Sequence, residues 1–71
     1  MNKYKVNRGE LADCSYITVY RNSEIVATGA ITGKQINDVE IERNYRLNSK
    51  SRNMIIDSIL KFANENGLIY I

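Results

Sequence analysis

The chain has 71 residues, 44% hydrophobic and 25% charged, with ten Lys or Arg against eight Asp or Glu for a net charge of +2. That size makes a single small domain able to bury only about 60% of its unfolded surface, and the composition is globular rather than disordered. So modest a charge excludes a global polyelectrolyte role, and any nucleic-acid or anion contact must rest on a local patch.

Cys14 is the one cysteine and there is no histidine. No intrachain disulfide can form, Cys14 has no histidine or second cysteine to join it at a zinc site, and the commonest general base is missing. Cys14 itself reads as a small buried hydrophobe. The N-terminal MNKYKVNRGELADC has basic residues without an apolar run after them, which does not match a signal peptide. No stretch approaches the roughly 20 apolar residues that span a bilayer. The expectation is a soluble, cytoplasmic protein with no membrane partner.

In chain order, Lys3 to Val6 reads as a short strand and Asn7 to Cys14 as a loop or a turn of helix. Ser15 to Tyr20 is rich in β-branched and aromatic residues, a strand signal, and Tyr16 and Tyr20 share its parity with Thr18. They form either an exposed aromatic stripe or ordinary half-covered strand residues. Arg21-Asn22-Ser23 is turn chemistry and Glu24 to Ile31 the returning strand of a hairpin, with Gly29 marking a bulge or close backbone approach. Gly33 marks a second turn. The run QINDVEIER then alternates, with Val39 and Ile41 on one face and Asp38, Glu40 and Glu42 on the other, as in a half-buried strand.

Asn48, Ser49 and Ser51 are competent N-caps for the helix that follows. Met54, Ile55, Ile56, Ile59, Leu60, Phe62 and Ala63 fall on a broad apolar arc, opposite Asp57, Ser58, Lys61, Asn64 and Glu65. Asn66-Gly67 is a left-handed stop. The final LIYI reads as a strand parallel to the 35–43 strand through a right-handed crossover. The expected fold class is α+β, a small antiparallel sheet with one helix on a face and a C-terminal βαβ unit, in the order β-β-β-β-α-β.

This order, with the hairpin YRNSEIVATGAI, the long strand NDVEIERNYR and the helix-strand MIIDSILKFANENGLIYI, resembles the central part of the GNAT N-acetyltransferase superfamily over residues 16–71. The resemblance implies a loop and helix N-terminus binding acetyl-CoA, with Arg46, Ser49, Lys50, Ser51 and Arg52 at the matching positions. Serine stands at Ser49 and Ser51, where the family's loop carries glycine so that the backbone can approach the pyrophosphate. The family's N-terminal helical pair and its tyrosine-bearing later helix have no counterpart here, and Glu40 and Glu42, on the strand that often supplies a catalytic carboxylate, read as a solvated face. The implied module is therefore GNAT-like but non-catalytic, with no catalytic residue, metal or obligatory cofactor assigned. A minimal acyl-CoA-dependent N-acetyltransferase completed by dimerisation is the alternative.

Arg43, Arg46, Lys50 and Arg52 surround the start of the long helix, where the helix dipole favours anions. Three readings stand for them: the CoA pyrophosphate, a nucleic-acid backbone, or a solvated loop whose charges balance Asp38, Glu40 and Glu42. The apolar edge of LIYI points to a protein partner or a homodimer. The partner-binding residues expected are Arg43, Tyr45, Arg46, Lys50 and Tyr70. An Asn- and Ile-rich, proline-free composition suits an AT-rich genome, and stripped-down regulators or inhibitors of this kind are common among phage and mobile-element proteins.

Overall fold

The computed structural model describes residues 3–71. Among them run β1 (Tyr4–Leu11), β2 (Cys14–Arg21), β3 (Glu24–Thr32), β4 (Gln35–Ile41), α1 (Arg43–Arg46), α2 (Ser49–Glu65) and β5 (Ile69–Tyr70). The five strands make one mixed sheet in the order β1-β2-β3-β4-β5, antiparallel throughout except for the parallel β4–β5 pair. This is an α+β fold with α2 as the crossover helix.

Each antiparallel connection is a two-residue hairpin, the loop length whose twist suits adjoining strands. The first turn residue lies at positive φ each time: Ala12 at 55°, Asn22 at 57° and Gly33 at 61°. Asn and Gly take that conformation readily, whereas alanine pays a steric cost of about 1 kcal/mol or more. Ala12→Gly is therefore expected to stabilise the protein by about 0.5 kcal/mol, since glycine's larger unfolded-state entropy offsets part of the relief. A urea midpoint that falls in the variant would contradict the left-handed turn.

The segment Asn7 to Cys14 is not a loop. Most of it completes β1, paired with β2 from Tyr4↔Arg21 to Leu11↔Cys14. The strand is polar because it is an edge strand: Arg8 and Glu10 stay in water, 3.7 Å apart as an ion pair. Cross-strand pairing here overrides poor β propensity. Gly9 has a steric reason, because a Cβ at that position would clash with the hydroxyl end of the ring of Tyr16, its partner on β2. Cys14, expected inside, is exposed at the hairpin end.

Two bulges shape the sheet. Tyr20 pairs with Ile25 and Val19 with Ala27, so Val26 is the extra residue and both Val26 and Ala27 are buried. On β4, Thr28 pairs with Glu40 and Ala30 with Asn37, so Asp38 and Val39 together face Gly29, with Asp38 at φ 52°. The strict alternation read from QINDVEIER is broken at Asp38, and Ile36 and Val39 both pack on the core.

The core joins Ile17, Val19, Val26, Ala27, Ile31 and Ile36 of the sheet to Ile55, Ile59 and Ala63 of α2. The helix is rotated slightly from the expected arc. Ser58 is buried, with its hydroxyl donating to the Met54 carbonyl at 2.8 Å, while Leu60 is 47% exposed. A serine that satisfies its own hydroxyl within the helix can be buried without an unpaired polar group. On the opposite sheet face Thr18 is buried, Tyr20 is half-buried and Tyr16 is exposed, between a stripe and full cover.

At the helix end Gly67 takes φ 67° and the Leu68 N–H bonds to the Ala63 carbonyl at 2.8 Å, a Schellman stop. β5 then enters beside the start of β4, through Ile69 N–H to the Lys34 carbonyl at 2.8 Å and Ile71 N–H to the Ile36 carbonyl at 3.0 Å. No helix among the described residues is long and apolar enough to cross a membrane.

Candidate functional site

The segment between β4 and α2 is built by local caps. β4 ends at Ile41, short of the 35–43 strand expected and of the run to Arg46 that the GNAT resemblance implies, and the Glu42 N–H closes the ladder on the Val26 carbonyl at 2.8 Å. The Glu42 carboxylate then accepts the Asn44 N–H at 3.2 Å, capping a single helical turn, α1. Asn48 caps α2 by accepting the Ser51 N–H at 3.0 Å. Arg52 donates from Nη1 to the Arg46 carbonyl at 3.2 Å and ties the two helices together.

The short helix α1 contributes no buried residue, so its position depends on Tyr45. The Tyr45 hydroxyl donates to Glu24 Oε1 at 2.5 Å, and its ring meets Tyr4 edge-on with centroids 6.4 Å apart. Arg21 lies against the same hydroxyl, and that contact raises the guanidinium's pKa. The bond to Glu24 is the main cause holding the Tyr45 pKa above its ordinary 10.0, with Arg21 opposing it. The native state thus favours the neutral phenol. Its contribution is present below the ordinary tyrosine value and is lost as pH rises through the raised one.

Tyr45→Phe is therefore expected to leave the sheet intact and to speed amide hydrogen exchange across 43–47. It should also remove one component of the alkaline loss of stability. Exchange at 43–47 as slow as in the wild type would show that Tyr45 does not anchor α1.

Of the residues singled out from the sequence, Arg43, Tyr45 and Arg46 stand on α1 and Ser49, Lys50, Ser51 and Arg52 in the first turn of α2. They share one junction. Tyr70 does not join them: it pairs with Ile36 near the start of β4 and packs against the core, because β5 runs parallel to β4 from its far end. Arg43 and Arg46 occupy the last turn of α1, an end that suits cations, so only Lys50 and Arg52 oppose the dipole of α2. Arg52 is held by the Arg46 carbonyl, and the Ser51 N–H by Asn48. The Ser49 and Lys50 N–H groups have no intrahelical acceptor.

Among the described residues the one ion pair within salt-bridge distance is Arg8–Glu10. Arg43, Arg46 and Lys50 are exposed and none is neutralised by Asp38, Glu40 or Glu42. A groove of about 500 Å³ opens at the same junction, lined by Arg21, Glu24, Ile25, Glu42, Asn44, Tyr45, Asn48 and Ser51 and by none of the three cations. A second, of about 280 Å³, is lined by Ile25 to Thr28 and by Glu40 to Glu42. No group of three His, Cys, Asp or Glu among the described residues is placed to hold a metal ion.

Tyr4, Arg21 and Glu24 escaped sequence reading. Glu24 and Tyr45 are 21 positions apart, and no local signal pairs residues at that distance. The cap at Glu42 was hidden because glutamate is not a favoured N-cap. No family model, curated protein or solved structure matches this chain.

Proposed function

We propose that this chain is a non-catalytic, GNAT-like α+β module that regulates a protein partner by docking an acidic segment of it on the α1–α2 junction. The observation that carries this reading is the set of three exposed cations, Arg43, Arg46 and Lys50, with no carboxylate in ion-pair reach. A loop that merely balanced its own charges would have paired some of them with Asp38, Glu40 or Glu42. Exposed pairs contribute only about 0.2–1 kcal/mol each, so this surface orients and speeds an encounter more than it tightens one. The parallel β4–β5 pair joined by α2 supports the GNAT likeness.

The test is an amide NMR titration with a glutamate-rich peptide and, separately, with acetyl-CoA. The peptide is expected to give saturable, salt-sensitive shifts across 43–50. The double variant Arg46→Glu, Lys50→Glu should weaken that binding by about tenfold while keeping the fold. Unchanged affinity in the double variant removes the junction from consideration. Acetyl-CoA is expected to give no shifts at millimolar concentration.

The alternative, a minimal acyl-CoA-dependent N-acetyltransferase completed by dimerisation, draws support from the Ser49 and Lys50 N–H groups beside three cations. Saturable acetyl-CoA shifts centred on 46–53 would establish it in place of the binding reading.

A further inference from the structure

β1 forms one outer edge of the sheet. It pairs with β2 over eight consecutive residues without a bulge, contains no proline, and has no strand on its other side among the described residues. The opposite edge, β5, is only two residues long. An unblunted edge strand presents a row of backbone donors and acceptors to any chain that can pair with it.

The β1–β2 turn decides which groups face outward. A two-residue turn closes through a hydrogen bond between its flanking residues, here Leu11 and Cys14. Hydrogen-bonded pairs alternate along an antiparallel ladder, so Gly9, Asn7 and Lys5 also bond to β2. Glu10, Arg8 and Val6 therefore turn their N–H and C=O away from it.

A groove of about 290 Å³ lies along the start of this edge, between Tyr4, Lys5 and Val6 of β1 and Lys61, Phe62 and Glu65 of α2. Val6 and Phe62 are half-buried and pack against the core, so they give the groove an apolar floor. Lys5 and Lys61 are exposed, and neither is within ion-pair distance of a carboxylate among the described residues. Strand alternation places Lys5 on the face opposite Val6, so the two ammonium groups bracket the edge, against the single carboxylate of Glu65.

We infer that β1 accepts an extended, acidic and apolar segment of a partner protein as a further strand of the sheet. The segment's backbone pairs with Val6 and Arg8, an apolar side chain enters beside Val6 and Phe62, and carboxylates meet Lys5 and Lys61. The occupant is an extended chain because a strand supplies both a donor and an acceptor at every second residue. A second copy of β1 is not complementary: it brings Lys5 and Arg8 against Glu10 alone, the same cationic excess, and like charges deter edge-to-edge pairing. The inference does not rest on the α1–α2 junction, whose cations do not line this groove.

The experiment is an amide NMR titration of the labelled protein with short synthetic peptides. The first alternates glutamate and valine, and the second has lysine in place of glutamate. Two more carry the first sequence with every second amide N-methylated, one in each phase. The first peptide is expected to shift 4–10 and 58–65 and to slow exchange of the Val6 and Arg8 amides. The lysine peptide should bind about fivefold more weakly, and Lys61→Glu should weaken the glutamate peptide about threefold, the effects that exposed ion pairs give. N-methylation should lose about tenfold or more in the phase that faces β1, since each lost backbone bond costs a few-fold, and little in the other.

Equal affinities for the two N-methylated peptides, or no shifts at 4–10, overturn the added strand. Glutamate-peptide shifts confined to 43–50 overturn it too, while leaving the junction reading in place. In the protein alone the Val6 and Arg8 amides are expected to exchange fast. Slow exchange there that fades on dilution would give the edge to a second copy and overturn the partner segment.

Discussion

Ile59→Ala is expected to destabilise the protein by about 3–4 kcal/mol, while the adjacent Leu60→Ala changes stability by less than about 1 kcal/mol. Ile59 is fully buried between α2 and the sheet, in contact with the core cluster. Truncating it removes three carbons' worth of burial and leaves a cavity that a two-layer domain has little means of collapsing. Leu60 is 47% exposed, and alanine is as good a helix former as leucine.

The consequence is large because the domain is small. At about 0.05–0.15 kcal/mol per residue, its total stability is roughly 4–11 kcal/mol, and the Ile59 loss is a substantial part of that. The melting temperature should fall by roughly 15–25 °C for Ile59→Ala and by only a few degrees for Leu60→Ala. The pair also tests the seating of the helix. Successive residues point about 100° apart, so equal losses at both positions, or a greater loss at Leu60, would mean that α2 lies on the sheet by a different face.

That helix shows how far the sequence could be read. Its limits follow from local chemistry: Asn66-Gly67 marked the end, while the start was legible only as one of Asn48, Ser49 and Ser51, of which Asn48 is the cap. Its rotation was not legible, because hydropathy ranks Leu60 above Ser58. A serine that bonds its own turn's carbonyl is apolar enough to be buried, and that depends on geometry rather than on residue type. The three consecutive strands from β2 to β4 announced themselves through β-branched residues and through Asn22 and Gly33 at the turns. β1 did not, since an edge strand of Asn7, Arg8, Gly9 and Glu10 has little β propensity and is fixed by pairing with β2.

The site divides in the same way. A cluster of cations before a helix is visible in any linear reading, and the structure does gather Arg43, Arg46 and Lys50 in one place. What the linear reading lacks is the pairing pattern. Arg52 looked equivalent to its neighbours, yet its guanidinium goes to the Arg46 carbonyl. Tyr70 looked like part of the same surface, but the parallel direction of β5 carries it to the other end of β4. Tyr45 looked like a partner-binding residue, and its hydroxyl is turned to Glu24. The cations that remain exposed are the ones without such internal tasks, which is why they carry the functional proposal.

The second large effect is expected at Gly29, where Gly29→Val should cost about 2–3 kcal/mol despite valine's higher strand propensity. Gly29 is paired with Ile17 on one side and faces the β4 bulge on the other. A Cβ placed there would lie 3.1 Å from Ile17 Cγ1 and 3.1 Å from Val39 Cγ2, tighter than ordinary contact on both sides at once. Alanine needs the neighbours to give by only a few tenths of an ångström. Valine adds two more carbons on the same face, and Ile17 is fully buried, so it has no open space to move into.

Propensity favours valine by at most about 1 kcal/mol, and overpacking a filled core outweighs it. The cause can be separated from a general intolerance of the strand by trimming the neighbour. If steric contact with Val39 is responsible, Gly29→Val combined with Val39→Ala should be more stable than the sum of the two single losses by at least about 1 kcal/mol. Additive losses would place the strain elsewhere. A Gly29→Val protein as stable as the wild type would mean that Ile17 and Val39 do not close over this backbone, and that the bulge at Asp38 does not bring β4 so near.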